Sequence, residues 1–551
     1  MQSFRNSLPR RSSAGRAAGV ALAGAGLLAA AIAASAAAVR AWEWHEEAKL
    51  VASDGARGDD FGHAVAVSGD TVLIGAYNKV VGAPEAGAAY AFRRSGSSWI
   101  REGSLTASDA GAYDLFGGAV ALRGDTALIG AEGADGGRFG SGSAYVFVRA
   151  GSLWTQEQEL TAGDAASHDE LGCSVALDSE TAVAGAPGDD DRGSRAGAVY
   201  VFVRADQGWM EQAKLTALDA AAGGEFGSAV SISGDSLLVG ARGQGGAGAA
   251  YVFVRAGTIW TQQARLAAGD GVAGDDFGAA VALDGDCAVV GAPGDDHPPA
   301  GDDEGSAWVF VRAGTTWSAP AKLAASDAAA RDRFGRSVAL DGETALVGAP
   351  EDDDGGSGAG SVYVFTRWGT AWSPAAKLGA GDATAGSSFG YAVALEDGTA
   401  AIGADDANAV ALSSGAAYVL SRTARASIAV RNAGPNPISH SAATLPVLGG
   451  TYTTTVDLAG TSGHDFAWLM GHGVPAATIL AGGQVLLLDV SDPRDVLLLG
   501  AAQPGPLATF DVPVPADPAC AGLRIATQAV HLGGVHPFAL SNAVDLFLGD
   551  P

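Results

Sequence analysis

Short apolar segments separated by turn residues follow one another along most of the chain. In one stretch, residues 172–177 (GCSVAL), 181–186 (TAVAGA) and 198–203 (AVYVFV) are apolar, and a fourth segment runs over 209–216. Segments of this length with turns between them predict four antiparallel strands in a meander. Because apolar residues occupy successive positions, we expect both faces of the resulting sheet to be covered.

This four-strand unit occurs seven times. A Phe-Gly or Leu-Gly pair recurs every 51–57 residues, a Gly-Ala pair follows it by fourteen residues, and a Trp precedes it by seventeen. Constant offsets over a period of about 55 residues indicate a repeat architecture. The pairs begin at Phe61, Phe116, Leu171, Phe226, Phe277, Phe334 and Phe389.

A radial stack of such sheets covers both faces of each sheet, and this predicts an all-β, seven-bladed β-propeller. Glycine and alanine recur where the inner strands converge on the axis. The first repeat element, residues 44–50, corresponds to a fourth strand, whereas the last repeat ends after its third strand at 418–420. We therefore predict that residues 44–50 complete the last blade and close the ring.

These motifs resemble the FG-GAP repeat family, which includes the propeller of integrin alpha chains. The resemblance covers residues 42–422 and rests on the Phe-Gly pairs, on Val-Gly-Ala-Pro at 290–293 and 347–350, and on Tyr-Val-Phe at 200–202. It implies a seven-bladed propeller outside the cytoplasm that binds proteins or glycans, often with calcium.

The two ends of the chain differ from the repeats. Four Arg precede an apolar run over 17–39 with small-residue cleavage sites, so residues 1–41 are typical of a secretory signal peptide, with an uncleaved anchor as the alternative. Residues 423–551 are richer in Pro, Leu and His and contain short apolar segments between turns. They predict a C-terminal β-sandwich-like domain that resembles the terminal module of many secreted bacterial proteins.

The charge balance restricts the partners. A formal net charge of −28 disfavours nucleic acid and anionic membrane surfaces. No segment after residue 41 is apolar for long enough to cross a bilayer. The three cysteines, Cys173, Cys287 and Cys520, form no disulfide framework. We expect a monomer that is secreted or resides in the cell envelope.

Strand direction sorts the loops onto two faces. The connections into the first strands and the loops between second and third strands share one face, here called the acidic face because Asp residues concentrate there. The longer loops of three repeats differ from one another, as site loops do, and their clustered carboxylates suit Ca²⁺; exposed acidic loops are the alternative. The candidate ligands are Asp189, Asp190 and Asp191; Asp295, Asp296, Asp302 and Asp303; and Asp352, Asp353 and Asp354.

The calcium sites of integrins cannot be transferred to this chain. Integrin calcium loops join the first and second strands, and here those turns are only about three residues long, as at 68–70. On the opposite face, an Arg follows the third strand of each repeat and an acid occupies the neighbouring hairpin turn. We expect these to form a ring of ion pairs within blades.

The favoured interpretation is a non-enzymatic binding or adhesion protein that takes a protein or glycan ligand on the acidic face, assisted by calcium. The strands that line the channel are dominated by Gly, Ala and Val and carry no concentrated set of His, Asp and Glu, so we expect no catalysis. The alternatives are an extracellular hydrolase or lectin on a propeller, or a purely structural envelope protein.

Overall fold

The computed structural model describes residues 42–296, 303–369 and 371–424, and beyond them the strands between 427 and 547. Residues 1–41, which include the predicted signal peptide, lie outside the described residues. No helix in the described part of the chain has the length and apolarity needed to span a lipid bilayer.

Seven antiparallel sheets, here called blades 1 to 7, make up the compact unit Trp44–Ser421. In each blade the chain passes from an innermost strand outward through a second, a third and an outer strand. The outer strand of blade 5 is interrupted, and the outer strand of blade 7 comes from the other end of the chain. The all-β, seven-bladed prediction is confirmed.

The strands have the following bounds, from the axis outward. Blade 1 contains Val65–Ser68, Thr71–Ala76, Ala88–Ser95 and Ser98–Leu105; blade 2 contains Ala119–Arg123, Thr126–Ala131, Ser143–Ala150 and Leu153–Leu160; blade 3 contains Ser174–Asp178, Thr181–Ala186, Ala198–Ala205 and Gly208–Leu215. Blade 4 contains Phe226–Ser233, Ser236–Ala241, Ala249–Ala256 and Ile259–Leu266; blade 5 contains Ala280–Asp284, Cys287–Ala292, Ser306–Ala313, Thr316–Trp317 and Ala321–Leu323. Blade 6 contains Ser337–Asp341, Thr344–Ala349, Ser361–Trp368 and Ala371–Leu378; blade 7 contains Val393–Glu396, Thr399–Ala404, Ala416–Ala424 and Trp42–Leu50.

The N-terminal strand closes the ring. Trp42–Leu50 is hydrogen-bonded to Ala416–Ala424 in the sheet of blade 7, which confirms the predicted pairing. Phe61 of blade 1 forms a parallel bridge with Gly415 of blade 7, the same bridge that joins other neighbouring blades. Each innermost strand also contacts the innermost strand of the next blade, and blade 7 contacts blade 1.

The two recurring glycines meet backbone to backbone between neighbouring blades. A Cβ built on Gly75 of blade 1 would lie 1.9 Å from the carbonyl oxygen of Gly117 in blade 2. Gly62, in the Phe-Gly pair, has a φ of 102°, a conformation that favours glycine. Close blade packing therefore requires these glycines. The same approach recurs at Gly130–Gly172, Gly185–Gly227, Gly240–Gly278, Gly291–Gly335, Gly348–Gly390 and Gly403–Gly62.

Aromatic side chains fill the space between blades. Phe61 is fully buried, and its ring meets Tyr90 edge-on with centroids 5.4 Å apart and Phe92 at 6.2 Å. The same core cluster contains Ala401 and Val419 from blade 7. The aromatic pair of the third strand thus packs against the neighbouring blade.

On the face opposite the acidic face, Arg side chains join successive blades. Arg149 Nη2 lies 2.7 Å from Asp125 of its own blade, and Nη1 lies 3.2 Å from Glu102 of blade 1. The guanidinium also stacks on Trp154, whose Nε1 donates to Glu102 at 3.3 Å. The predicted ion pairs within blades are confirmed for Arg94, Arg149, Arg204, Arg255 and Arg312.

The C-terminal strands form sheets of their own. Their packing, and with it the predicted β-sandwich, lies outside the described residues. The largest sheet has the order Ser427–Arg431, Ala543–Phe547, Arg524–Gly533, His464–His472 and Leu497–Ala502, with Phe538–Leu540 paired to Arg524–Gly533; a second contains Ser439–Ala442, Thr451–Asp457 and Leu507–Pro513; a third pairs Thr478–Ile479 with Val485–Leu486.

Candidate functional site

Three carboxylates of blade 3 surround one ammonium group. Lys214 Nζ, from the outer strand, lies 2.8 Å from Asp164, 2.7 Å from Asp189 and 2.6 Å from Asp191. Asp189 is buried, so its charge requires a partner. Burial opposes the charge on Lys214, but the hydrogen bonds with these three carboxylates outweigh it and raise the pKa of the ammonium.

Blades 5 and 6 repeat this arrangement. Lys377 Nζ lies 2.8 Å from Asp352 and 2.6 Å from Asp354, and the buried Asp352 also accepts a hydrogen bond from a tyrosine hydroxyl. In blade 5, Lys322 Nζ lies 3.0 Å from Asp295. A lysine of the outer strand therefore neutralises the first acid of each longer loop.

The second acid of each longer loop accepts a hydrogen bond from a backbone N–H group. Such bonds fix loop conformation, which is a common structural use of Asp. Asp302 lies outside the described residues. The pairs are Asp190 with Arg195 at 2.6 Å, Asp296 with Asp303 at 2.7 Å, and Asp353 with Gly358 at 2.7 Å.

Within the described ranges, no group of three or more His, Cys, Asp or Glu side chains is arranged to hold a metal ion. A calcium ion at the loops of blades 3 and 6 would compete with the ammonium of Lys214 or Lys377. Calcium binding by the ten predicted ligands stays a prediction.

A cavity of about 490 Å³ lies on the propeller axis and is lined by residues of all seven blades. Its wall consists largely of the valines and alanines of the innermost strands. Its mouth opens on the acidic face, because the residues just before each innermost strand and just after each second strand lie there. Here the repeats differ: the residue two positions after each repeat Phe or Leu is His63, Gly118, Cys173, Ser228, Ala279, Arg336 or Tyr391.

Three aromatic rings stand together at this mouth. The His63 ring lies 4.0 Å from the Tyr77 ring and 4.9 Å from the Tyr391 ring, centroid to centroid. His63 Nδ1 lies 3.3 Å from Oδ2 of Asp405, which is buried. The Asp405 contact fixes the orientation of the imidazole, and all three rings line the cavity.

Arg336 extends this cluster. Its guanidinium lies over the Tyr391 ring with Cζ 4.4 Å from the centroid, and Nη2 donates to the Tyr391 hydroxyl at 2.8 Å. Among the described residues, no carboxylate lies within ion-pair distance of Arg336. The other arginine that lines the cavity, Arg242, is paired with Glu225 at 2.6 Å.

Carboxylates behind the aromatic rings have perturbed protonation. Burial and the nearby charges of Asp405 and Asp406 raise the pKa of Asp60 to about 6. A hydrogen bond that Asn78 donates at 2.6 Å lowers this pKa but does not outweigh them. Burial and the charge of Asp60 raise the pKa of Tyr77 to about 12. One oxygen of Asp405, Oδ1, is buried without a hydrogen-bond partner among the described residues.

Cys173 lines the cavity with Glu132 and Arg242. Burial, and then the charge of Glu132, raise the pKa of the Cys173 thiol well above its usual value. The thiol is therefore protonated at neutral pH and is a weak nucleophile.

The channel strands are apolar as predicted, and the contact between His63 and Asp405 lies just outside these strands, at the mouth. His63 precedes the innermost strand and Tyr77 follows the second strand, so neither belongs to the strand segments that the pattern identifies. One signal in the sequence could have identified this site. The residue directly after each Phe-Gly or Leu-Gly pair varies between repeats, although the pair itself recurs.

The chain matches the family described as FG-GAP repeat seven times. The matches cover residues 44–92, 99–147, 154–202, 209–253, 260–310, 317–365 and 372–420, which is more than half of the chain. Among curated proteins, none matches the chain.

One solved structure with a similar shape is a Bacteroides uniformis protein provisionally assigned as a 6-phosphogluconolactonase. It is 14% identical, with a TM-score of 0.37 over 58% of this chain and 85% of that chain. A TM-score this low supports no inference about function. The seven in-phase matches and the closed ring of seven blades place this chain in the FG-GAP repeat family.

Proposed function

We propose that this protein is an extracellular, non-enzymatic binding protein whose ligand docks over the mouth of the axial channel on the acidic face. One observation carries the proposal: the cavity at this mouth is lined by side chains that differ from repeat to repeat, within a frame in which the Phe-Gly or Leu-Gly pair, the Gly-Ala pair and the Trp recur. Functional residues commonly occupy such positions, since loops vary while the scaffold stays fixed.

The family supports this class of function. FG-GAP propellers are typical of binding and adhesion proteins and are commonly extracellular. The net charge of −28 favours a ligand that is not a polyanion. The lysine-paired loops of blades 3, 5 and 6 would then form the rim around the docking site.

The test is a binding screen of the full chain against immobilised glycans and envelope proteins, repeated with two variants. Tyr391→Ala removes an aromatic wall of the mouth and should abolish capture of any ligand that the parent protein retains. Glu180→Gln changes an exposed hairpin residue on the opposite face and should leave capture unchanged. Equal capture by both variants would contradict docking at the mouth.

A second candidate function is favoured by the contact between His63 and Asp405. An imidazole that lines a cavity and whose Nδ1 is held by a carboxylate can act as a general base. An extracellular hydrolase of glycosides or esters is the matching class. Turnover of a chromogenic ester or glycoside that is lost in His63→Gln would favour the enzyme, and binding without turnover would favour the first proposal.

A further inference from the structure

The mouth of the channel contains one oriented cation without a carboxylate partner, Arg336. One hydrogen of its Nη2 bonds to the Tyr391 hydroxyl, whereas Nε, Nη1 and the second Nη2 hydrogen have no partner among the described residues. Stacking on the Tyr391 ring holds the guanidinium plane. A planar guanidinium fixed in this way matches the geometry of a carboxylate, which it binds through two parallel hydrogen bonds.

The neighbouring rings form a stacked row that lines the cavity. The His63 ring packs against the rings of both Tyr77 and Tyr391, and the row carries hydroxyl and imidazole nitrogen atoms as polar groups. Side chains with an apolar body and a polar tip suit a ligand that has both kinds of surface. A sugar ring, with C–H groups on one side and hydroxyls at its edge, has this character.

Hydrogen-bond acceptors surround the same site. Glu132 lines the cavity, whereas Asp60 and the unpartnered Oδ1 of Asp405 lie behind the aromatic rings. Acceptors in this number suit several hydroxyl donors and oppose a ligand with several negative charges. The cavity of about 490 Å³ is large enough for one or two sugar rings.

We propose that the mouth of the axial channel binds an acidic saccharide, a sugar ring with a single carboxylate, with Arg336 on the carboxylate and the Tyr77–His63–Tyr391 row beside the sugar ring. This rests on the proposed binding function and specifies its ligand class. Phosphorylated or sulfated polymers are disfavoured because the acceptors and the overall charge repel them.

Calorimetric titration of the full chain tests this inference. The probes are short oligomers that carry a single galacturonic or glucuronic acid unit, here called the acidic oligomers, with the matching neutral galactose and glucose oligomers as references. We expect the acidic oligomers to bind the parent protein about tenfold or more tightly than the neutral ones, a difference of about 1.4 kcal/mol, because only they form the charge-assisted pair with Arg336.

Two variants of one residue separate charge from geometry. Arg336→Gln should remove the preference for acidic oligomers, and Arg336→Lys, which keeps the charge without the fork, should restore part of it. Arg123→Gln, an exposed arginine in a hairpin on the opposite face, is the matched control and should leave every affinity unchanged. Circular dichroism of each variant establishes that it is folded.

The outcomes are distinct. Equal affinity for acidic and neutral oligomers, or loss of preference in Arg123→Gln, would overturn the role of Arg336. Failure of every saccharide to bind would overturn the saccharide inference. Capture of a protein ligand that depends on Tyr391 would then still support the proposed binding function.

Discussion

The Cα of Gly403 in blade 7 lies against the carbonyl oxygen of Gly62 in blade 1. A Cβ at position 403 would approach that oxygen to 1.9 Å, the same distance found between Gly75 and Gly117 inside the ring. The joint that closes the ring is therefore built like the joint between blades 1 and 2, although its two glycines are 341 residues apart.

Substitution of this glycine tests the closure. Gly403→Ala should lower the free energy of unfolding by about 3 kcal/mol, because backbone must move to admit the methyl group. Gly103→Ala is the control, since a Cβ there meets nothing within 4 Å, and it should be nearly neutral. Urea unfolding monitored by tryptophan fluorescence measures both. Equal stability of the two variants would mean that blades 7 and 1 are not in contact.

The lysine of blade 3 provides a test of the calcium hypothesis. Lys214→Gln leaves the buried Asp189 without its cation and should destabilise the protein by about 3 kcal/mol. Added calcium should then raise the melting temperature of the variant far more than that of the parent protein, because the ion replaces the ammonium.

Lys49→Gln is the matched control for this experiment. Among the described residues, Lys49 forms its ion pair with the half-exposed Asp382 alone, so its loss should cost about 1 kcal/mol or less. Calcium could also raise the melting temperature of the parent protein as much as that of Lys214→Gln. That result would contradict the view that the Lys214 ammonium occupies the position that a calcium ion would take.

A hydrogen-bond defect in blade 5 predicts a stabilising substitution. Trp99, Trp154 and Trp209 each donate the Nε1 proton to a glutamate of the preceding blade. Each of these glutamates lies three residues after the repeat Trp of its own strand. Pro320 occupies this position before Trp372, whose buried Nε1 has no partner among the described residues. Pro320→Gln should raise the free energy of unfolding by about 1 kcal/mol.

The indole proton of Trp372 reports the mechanism of that gain. Its NMR resonance should shift downfield in Pro320→Gln, whereas Pro320→Ala restores only the backbone N–H and should leave the resonance in place. A stability gain equal in both variants would assign the effect to the backbone.

The protonation of Asp60 predicts a pH dependence. Its pKa is about 6 in the folded protein against an ordinary 3.8, so the folded state holds this proton more tightly than the unfolded state does. Between about pH 4 and 6, a rise in pH therefore lowers the free energy of unfolding. Asp60→Asn should be more stable than the parent protein by about 1 kcal/mol near pH 7 and equal to it near pH 4.

Asp206→Asn is the control for Asp60, because it removes the same charge from an exposed turn. It should show no such difference between the two pH values. A parallel pH dependence of both variants would indicate that the overall negative charge, rather than the buried carboxylate, determines the effect.

The fold could be predicted from constant positions. The Phe-Gly pair, the Gly-Ala pair and the Trp mark the same structural places in every repeat, and the phase of the two ends predicted that residues 44–50 would join the last blade. The partners of the acids could not be predicted in the same way. Asp191 lies in a loop, and Lys214 lies 23 residues later in the outer strand. Only the packing of the blade brings the two side chains together.

The candidate site was missed for a related reason. His63, Arg336 and Tyr391 occupy one repeat position and lie far apart in sequence, so no local motif marks them. The ring brings them to one mouth. A comparison of the repeats position by position, rather than of their shared residues, would have identified this position.

The imidazole signals of His63 and His168 in a two-dimensional NMR spectrum distinguish most directly between a ligand bound at the axial channel and a ligand bound at the peripheral loops. Both histidines lie on the acidic face, but His63 lines the axial cavity and His168 packs edge-on against Phe139 in a loop of blade 2. On addition of a ligand that the protein captures, the His63 resonances should shift and those of His168 should remain in place. Shifts confined to His168 would place the ligand on the peripheral loops and contradict docking at the mouth of the channel.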